Sequence, residues 1–451
     1  MSESVQHPDK NGVGEHPSQE TQPSGTVTRY QSLALLGSSL LAAVSTLVVT
    51  MIAQRALNGS ELTEFLLFWA ALFTVTGIIT GIQPEITRAV GTARTQTVSA
   101  DGSAPQGARV VTVTAALGAI AGALVLVSSP LWAGQQIPHS AAVGVTVMAV
   151  GVFLYALQAT MSGVTAGEDR WYLFAAVGGL ESAGRLILML AAALMIPSLA
   201  GLEVATVAPM GLWLILALVT VSGRRLWVAR ADVPARRLTT NILWSFLSSA
   251  AAAVLMMGFP NVLKASGAAE SEPVVLGTLI LAISITRSPI MIPLQAFQGV
   301  AVSAFLKQRH RPVAAFIKPA AAVVAVGTVG ALAAYLLGPL LFRLIYPPAA
   351  GAESAYEAAA SGITLGALVF ASALLALMTL SGNMALAVNQ HRIYLAGWVV
   401  AAAVTLSLAF LIPAPLVPRA IVALAVGPVC GFVVHMVGVS LASRTEEARA
   451  E

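Results

Sequence analysis

Polar and apolar positions alternate along this chain on a long period. Apolar runs recur near residues 31–54, 62–88, 110–133, 141–166, 171–197, 202–223, 241–263, 274–306, 313–345, 357–388, 393–412 and 416–442, with polar turns between them. About 20 helical residues cover the ~30 Å of hydrocarbon in a bilayer. A membrane barrel would show shorter segments that alternate residue by residue. The pattern predicts an all-α polytopic membrane protein with about twelve transmembrane helices.

Composition sharpens this reading. Of the 451 residues, 57% are hydrophobic and 10% charged, against about 25% charged in soluble domains. That is too little polar surface to cover a globule in water. Residues 1–29, rich in Ser, Gln, Pro and Gly, read as a disordered tail. A cleaved signal peptide is not expected, because the first apolar run is too long for one and follows a long polar stretch.

Charge gives the orientation. Arg88, Arg94, Arg109, Arg170, the basic run from Arg224 to Arg237, Lys307, Arg309, Arg311 and Arg392 fall in alternate loops. The intervening loops hold only Arg55, Lys264, Arg343 and Arg419. Positive charge marks the cytoplasm, so both termini are expected there. The boundaries follow: a cytoplasmic tail 1–29, a six-helix bundle 30–223, a basic linker 224–240, a second six-helix bundle 241–443, and a tail 444–451.

The halves echo each other. Glu168–Val177 reads EDRWYLFAAV and Gln390–Val399 reads QHRIYLAGWV. Both carry Arg-x-Tyr-Leu at a helix entry, with Arg170 and Arg392 standing 222 positions apart. An offset of six spans implies parallel halves related by an axis along the membrane normal, with a binding cleft between them. Gly77–Gly81, Gly118–Gly122, Gly362–Gly366 and Gly427–Gly431 are Gly-x-x-x-Gly steps that let helices approach closely.

Few groups carry chemistry. Cys430 is the single cysteine and the six histidines are scattered, so no disulfide, metal site or other cofactor is expected. No P-loop or Gly-x-Ser-x-Gly motif appears, and no enzymatic activity is predicted. Arg287 stands mid-span with Pro289 and Pro293 after it. A charge at that depth costs at least about 3 kcal/mol unless it finds a partner. Arg287 is read either as an anion contact facing the cleft or as a donor to carbonyls freed by the prolines. Glu181 and Arg185 are four apart in the fifth span, which suits a self-neutralising pair or a sugar or proton site. Glu85 and Arg88, one turn apart after Pro84, suit an interfacial pair or a gate. Gln158, Asn261, Gln295 and Asn383 read as interhelical hydrogen-bond partners.

The stretch IAQRALNGSELTEFLLFWAALFTVTGIITGIQPEITRAV, Ile52 to Val90, resembles the start of the polysaccharide-exporter, or Wzx-like, branch of the multidrug/oligosaccharidyl-lipid/polysaccharide (MOP) flippase superfamily. The matching features are Arg55 to Leu57, the acidic step Glu61 to Phe65, Gly81 and Arg88. In the second half, NVLKAS and VVLGTLILAISITRSPIMIPLQAFQGVAVSAF continue the resemblance, which spans roughly residues 30–440. It implies a MOP/MATE-like fold of two six-helix bundles working by alternating access in a bacterial cytoplasmic (inner) membrane. It also implies cavity arginines from the first, second and eighth helices. Arg287 fits that pattern by position; Arg55 and Arg88 stand nearer span ends.

These readings lead to a flippase for a polyprenyl-diphosphate-linked oligosaccharide or other cell-envelope glycolipid precursor. Its expected partners are membrane lipids, the lipid-linked saccharide, and glycosyltransferases or polymerases of the same pathway, with no nucleic acid. The alternatives are a MATE-like exporter of small molecules and a non-transporting scaffold of envelope biosynthesis. Cation-driven export calls for acidic residues inside the bundles, and the sequence offers Glu181, which already faces an arginine.

Overall fold

The computed structural model describes residues 28–96, 107–267, 273–307, 312–348, 351–388 and 390–450. The tail 1–27, the loop around Gly102, Ala268, Arg309 and Arg311 lie outside the described residues. So do the side chains of Pro293, Gln295, Lys307, Arg444 and Arg449.

Twelve helices among the described residues are long and apolar enough to cross a membrane. They are α1 (Tyr30–Ala56), α2 (Gly59–Arg94), α3 (Val110–Leu131), α4 (Ala141–Gly167), α5 (Trp171–Met195), α6 (Leu199–Val219), α7 (Ala235–Ala265), α8 (Pro273–Met291), α9 (Val313–Ile345), α10 (Gly362–Ala387), α11 (His391–Leu411) and α12 (Leu416–Ala442). The chain is an all-α, multi-pass membrane protein. α7 starts earlier than its apolar run, because Leu238 and Ile242 are buried and carry the helix into the polar linker. α10 starts later than the expected 357. Glu353–Ala359 is a separate short helix, and the Ser361 hydroxyl caps α10 by accepting from the Thr364 N–H.

Local signals set these boundaries. The acidic step after α1 is a helix cap: Asn58 Oδ1 accepts the Glu61 N–H at 3.0 Å while the Glu61 carboxylate reaches back to the Asn58 N–H. α2 is interrupted at Thr80–Gly81, one turn before Pro84. α6 tightens to a 3-10 turn at Ala208–Gly211, around Pro209. α7 opens into a π turn at Val254–Gly258, just before Pro260.

The two halves share one packing scheme. α1 packs on α5, α2 on α4, α3 on α4, α4 on α6 and α5 on α6; each pairing recurs six helices later. Glycines allow some of the closest approaches. A Cβ at Gly122 would sit 2.8 Å from Ala149 O, and one at Gly431 2.6 Å from Gly397 O. The structural register of the repeat is not that of the sequence echo. Arg170 (φ −93°, ψ 60°) and Gln390 (φ −91°, ψ 60°) occupy the same place before α5 and α11. The structural equivalence is therefore 220 positions, and Tyr172 does not coincide with Tyr394. Tyr172 is exposed, whereas Tyr394 stacks on the buried His435.

The hydrophobic cores are arranged asymmetrically. One core joins the halves at the end away from the termini, with Val49, Phe65, Leu202, Phe259, Leu279, Tyr346 and Leu416 among its members. Toward the terminal end, the described residues form one core in the first half that takes in Leu238 and Ile242 of α7, and two in the second half. Polar contacts follow the shared core. Thr50 Oγ1 meets Tyr346 Oη at 2.8 Å, Thr63 Oγ1 donates to Pro273 O at 2.9 Å, and Asn261 Nδ2 donates to Leu67 O at 3.0 Å. At the terminal end the halves meet along α2 and α7, where Asn241 Nδ2 donates to Glu85 Oε1 at 2.8 Å. There α1 exposes Tyr30, Leu33, Leu36, Leu40 and Val44. Among the described residues the two halves are thus drawn together most fully at the end away from the termini.

The charge-derived orientation makes a direct prediction. In a Cys430→Ser background, Ser60→Cys and Ser354→Cys should react with a membrane-impermeant maleimide in intact cells. Arg236→Cys should react only after permeabilisation. The reverse pattern would overturn the assignment of both termini to the cytoplasm.

Candidate functional site

Glu181 and Arg185 face one another on α5, as their four-residue spacing requires. An Arg185 Nη2–Glu181 Oε1 ion pair joins them. Gln158 Nε2 from α4 donates to the other Glu181 oxygen. Arg185 also donates through Nε to Thr206 O on α6 at 3.4 Å and lies 5.2 Å from the Phe73 ring centroid. Both members of the pair are largely buried, and two aromatic faces of α2 cover the arginine.

Beside the pair lies a cavity of about 200 Å³ between α1, α2, α4 and α5. Ser38, Ser39, Gln83, Tyr155, Gln158, Ser162 and Glu181 line it, with Phe174. Gly178 leaves room for the α1 wall, since a Cβ there would stand 3.2 Å from Ser38 Oγ. Hydroxyls and amides both donate and accept, so this lining suits a neutral polyhydroxyl ligand. Both Glu181 oxygens are already engaged, whereas Gln158 Oε1 is buried with no partner.

The other sequence-selected residues do not converge here. Arg55, exposed at the end of α1, donates to Met51 O at 3.2 Å and to Ile345 O at 3.4 Å, capping two helix ends. Arg88 forks between Glu85 (2.7 Å) and Asp232 (2.9 Å), and so ties α2 to the linker. Backbone pairing of Ala108 with Ala231 and Val233 fastens the same segment from the other side.

Arg287 lies in the second half, beside a small cavity lined by Leu255, Ser372, Leu375 and Pro428. Its Nη1 donates to Met256 O. That carbonyl is four residues before Pro260, whose missing N–H withholds the usual α-helical donor. Arg287 thus serves a carbonyl freed by proline, but on α7 rather than on its own helix. Its Nε is buried without a partner.

Sequence reasoning missed a second polar cluster. Glu64 and Glu203 are buried, at 4% and 0% exposure, and both contact Ser140. Each stands just inside the start of an expected span, 62–88 and 202–223, and neither was singled out there. A lone acid inside an apolar helix was the available signal. Glu181 is therefore not the only acid inside the bundles.

No family model matches the chain. The fold is that of MOP superfamily transporters. An inward-facing multidrug resistance MATE family transporter superposes with a TM-score of 0.68 at 14% identity, over 92% of this chain and 99% of that one. The lipid II flippase MurJ, in an inward closed conformation, gives 0.67 at 8% identity over 92% and 88%. An outward-facing MATE structure gives 0.60 at 15% identity over 92% and 96%. Relatives in sequence are the uncharacterized protein Rv1510 of Mycobacterium tuberculosis, 32% identical over 92% of both chains, and the uncharacterized protein Rv3630 of the same organism, 34% identical over 94% of this chain and 95% of that protein. The chain belongs to the family of these mycobacterial proteins.

Two mutational outcomes follow from the geometry. Glu181→Gln and Arg185→Gln should each lower thermal stability in detergent more than the double change does. One partner alone leaves an unpaired buried charge, at about 3–5 kcal/mol. Equal or additive losses would exclude a self-neutralising pair. Arg287→Ala should destabilise by about 1–3 kcal/mol by leaving Met256 O unserved. Adding Pro260→Ala, which restores the helical N–H, should recover most of that loss in the same melting assay.

Proposed function

We propose that this protein moves a polyprenyl-diphosphate-linked saccharide or similar envelope glycolipid precursor from the inner to the outer leaflet by alternating access. The polar cavity beside Glu181 and Arg185 carries the reading. Its hydroxyl and amide lining suits sugar hydroxyls, and its volume takes part of a headgroup rather than a lipid tail. Ser38 and Ser39 on its wall share α1 with the exposed apolar row Leu33, Leu36, Leu40 and Val44. A headgroup in the cavity would leave its lipid chain beside that row. Closure of the halves at one end supports the alternating-access part, with the cytoplasmic end as the loading side.

In this reading Arg287 meets the substrate diphosphate through donors that Met256 O leaves free. Glu85, Arg88 and Arg55 hold the moving parts together rather than bind substrate. Pathway glycosyltransferases or polymerases would supply and consume the substrate. The buried acids Glu64 and Glu203 give the small-molecule exporter reading an observation of its own, because cation-driven export needs such groups.

The test measures lipid-linked saccharide in each leaflet, with membrane protein level as control. Ser39→Leu with Gln158→Leu should slow transfer on the order of tenfold or more, as two lost hydrogen bonds would, at unchanged protein level. Normal transfer in that variant removes the cavity from the mechanism. Efflux of small cations by the wild type, without saccharide transfer, would favour the exporter. The Arg287→Ala/Pro260→Ala double variant separates the arginine's two roles: restored folding without transfer assigns it to the diphosphate, and restored transfer makes it a structural donor.

A further inference from the structure

At the closed end, three elements of the first half meet around the Ser140 hydroxyl. Its Oγ is 2.6 Å from Glu203 Oε1 on α6 and 3.1 Å from Glu64 Oε1 on α2. A hydroxyl has one proton and can donate to only one of these oxygens. Glu64 is otherwise well served: Oε1 accepts the His139 and Ser140 N–H groups at 2.8 Å each, and Oε2 meets His139 Nδ1 at 2.8 Å. Glu203 has no such support. Its Oε2 is buried with no hydrogen-bond partner, and the side chain is wholly enclosed. An isolated carboxylate in such a place is far costlier than a neutral acid.

We infer that Glu203 is a proton-binding site, held as a neutral acid that donates to Ser140 Oγ, which in turn donates to ionised Glu64. The proton adds to a carboxylate oxygen and leaves from it; no other bond changes.

The site is built into the seam between the halves. Leu67, one turn after Glu64 on α2, accepts from Asn261 of α7. Gln136, on the turn that carries His139 and Ser140, donates to Asn261 O at 3.2 Å and receives Asn261 Nδ2 at 3.3 Å. Leu199, Leu202 and Ala205, flanking Glu203 on α6, belong to the core that joins the halves. Loss of the proton would place two carboxylates against one hydroxyl, a repulsion relieved when water reaches Glu203. Water enters by parting this end. The proton thus stabilises the closed seam and its loss opens it; that consequence, unlike the proton site itself, rests on the alternating-access reading.

Other ionisable groups nearby are few. His139 is 71% exposed on the Glu64 side, and Arg185, paired with Glu181, bonds Thr206 O one turn along α6. Across the seam, Arg55 is exposed, and burial raises the hydroxyls of Tyr346 and Tyr356, the latter to about 12. Neither tyrosine loses its proton in the range where a carboxylic acid does.

The test uses the full protein in lipid nanodiscs. Infrared spectra should show a protonated-carboxyl C=O band at neutral pH that disappears as pH rises and is absent from Glu203→Gln. Spin labels at Gln135 and Ala265, exposed on either side of the seam, should report a longer distance over the same pH interval. Glu203→Gln, neutral at every pH, should stay short. Glu64→Gln removes the neighbouring negative charge that opposes ionisation of Glu203, so it should weaken the hold on the proton and move both transitions down by about one pH unit. His139→Asn should leave both in place. The site is overturned if the band persists in Glu203→Gln, or if His139→Asn abolishes the transitions. A titrating band with an unchanged distance would keep the proton site and reject its control of the seam. Should Glu203→Gln not fold, the wild-type and Glu64→Gln titrations still decide.

Discussion

A bilayer offers no water to a carbonyl or charge inside it, so each must find its partner in the protein. Much of the polar architecture follows from that constraint. Pro260 withholds a donor from Met256 O, α7 loosens into a π turn, and Arg287 comes from α8 to fill the vacancy. One proline thereby links two helices of the second half. Arg185 answers the same constraint in the first half, with Glu181, Thr206 O and two aromatic faces around it.

The joined and separate cores give the molecule its asymmetry. At the end away from the termini, apolar packing and cross-half hydrogen bonds act on the same few turns of α1, α2, α7 and α8. At the other end α7 still rests on α2, through Asn241 and Glu85. The corresponding stretch of α1 shows its apolar side instead. The parallel repeat relates these two places, yet they are packed differently.

The polar sites sit where this asymmetry gives them meaning. The Glu181 cavity lies in the terminal-end portion of the first half, where α1 stands clear. The Glu64–Ser140–Glu203 cluster lies at the closed end, one turn from the Asn261 contacts. A single α5–α6 unit connects them, through Arg185 and Thr206 at one level and Glu203 at the next. The two polar clusters thus share a helix pair.

Twelve helices, their order and the pairing of Glu181 with Arg185 were legible in the chain, because apolar run length and four-residue spacing are local properties. The existence of a six-helix repeat was legible too, though its register was not; Arg170 aligns with Gln390 by backbone geometry, which a Tyr-Leu match cannot report. Glu64 and Glu203 escaped notice because an acid at the edge of an apolar run looks solvated until the turn that covers it is placed. Arg287 showed its need for a partner but not the partner, since the carbonyl it serves is set free by a proline on another helix. Sequence fixes which groups cannot be left alone in a membrane. Tertiary structure decides which of them meet, because those partners are brought together by helix packing and not by neighbourhood in the chain.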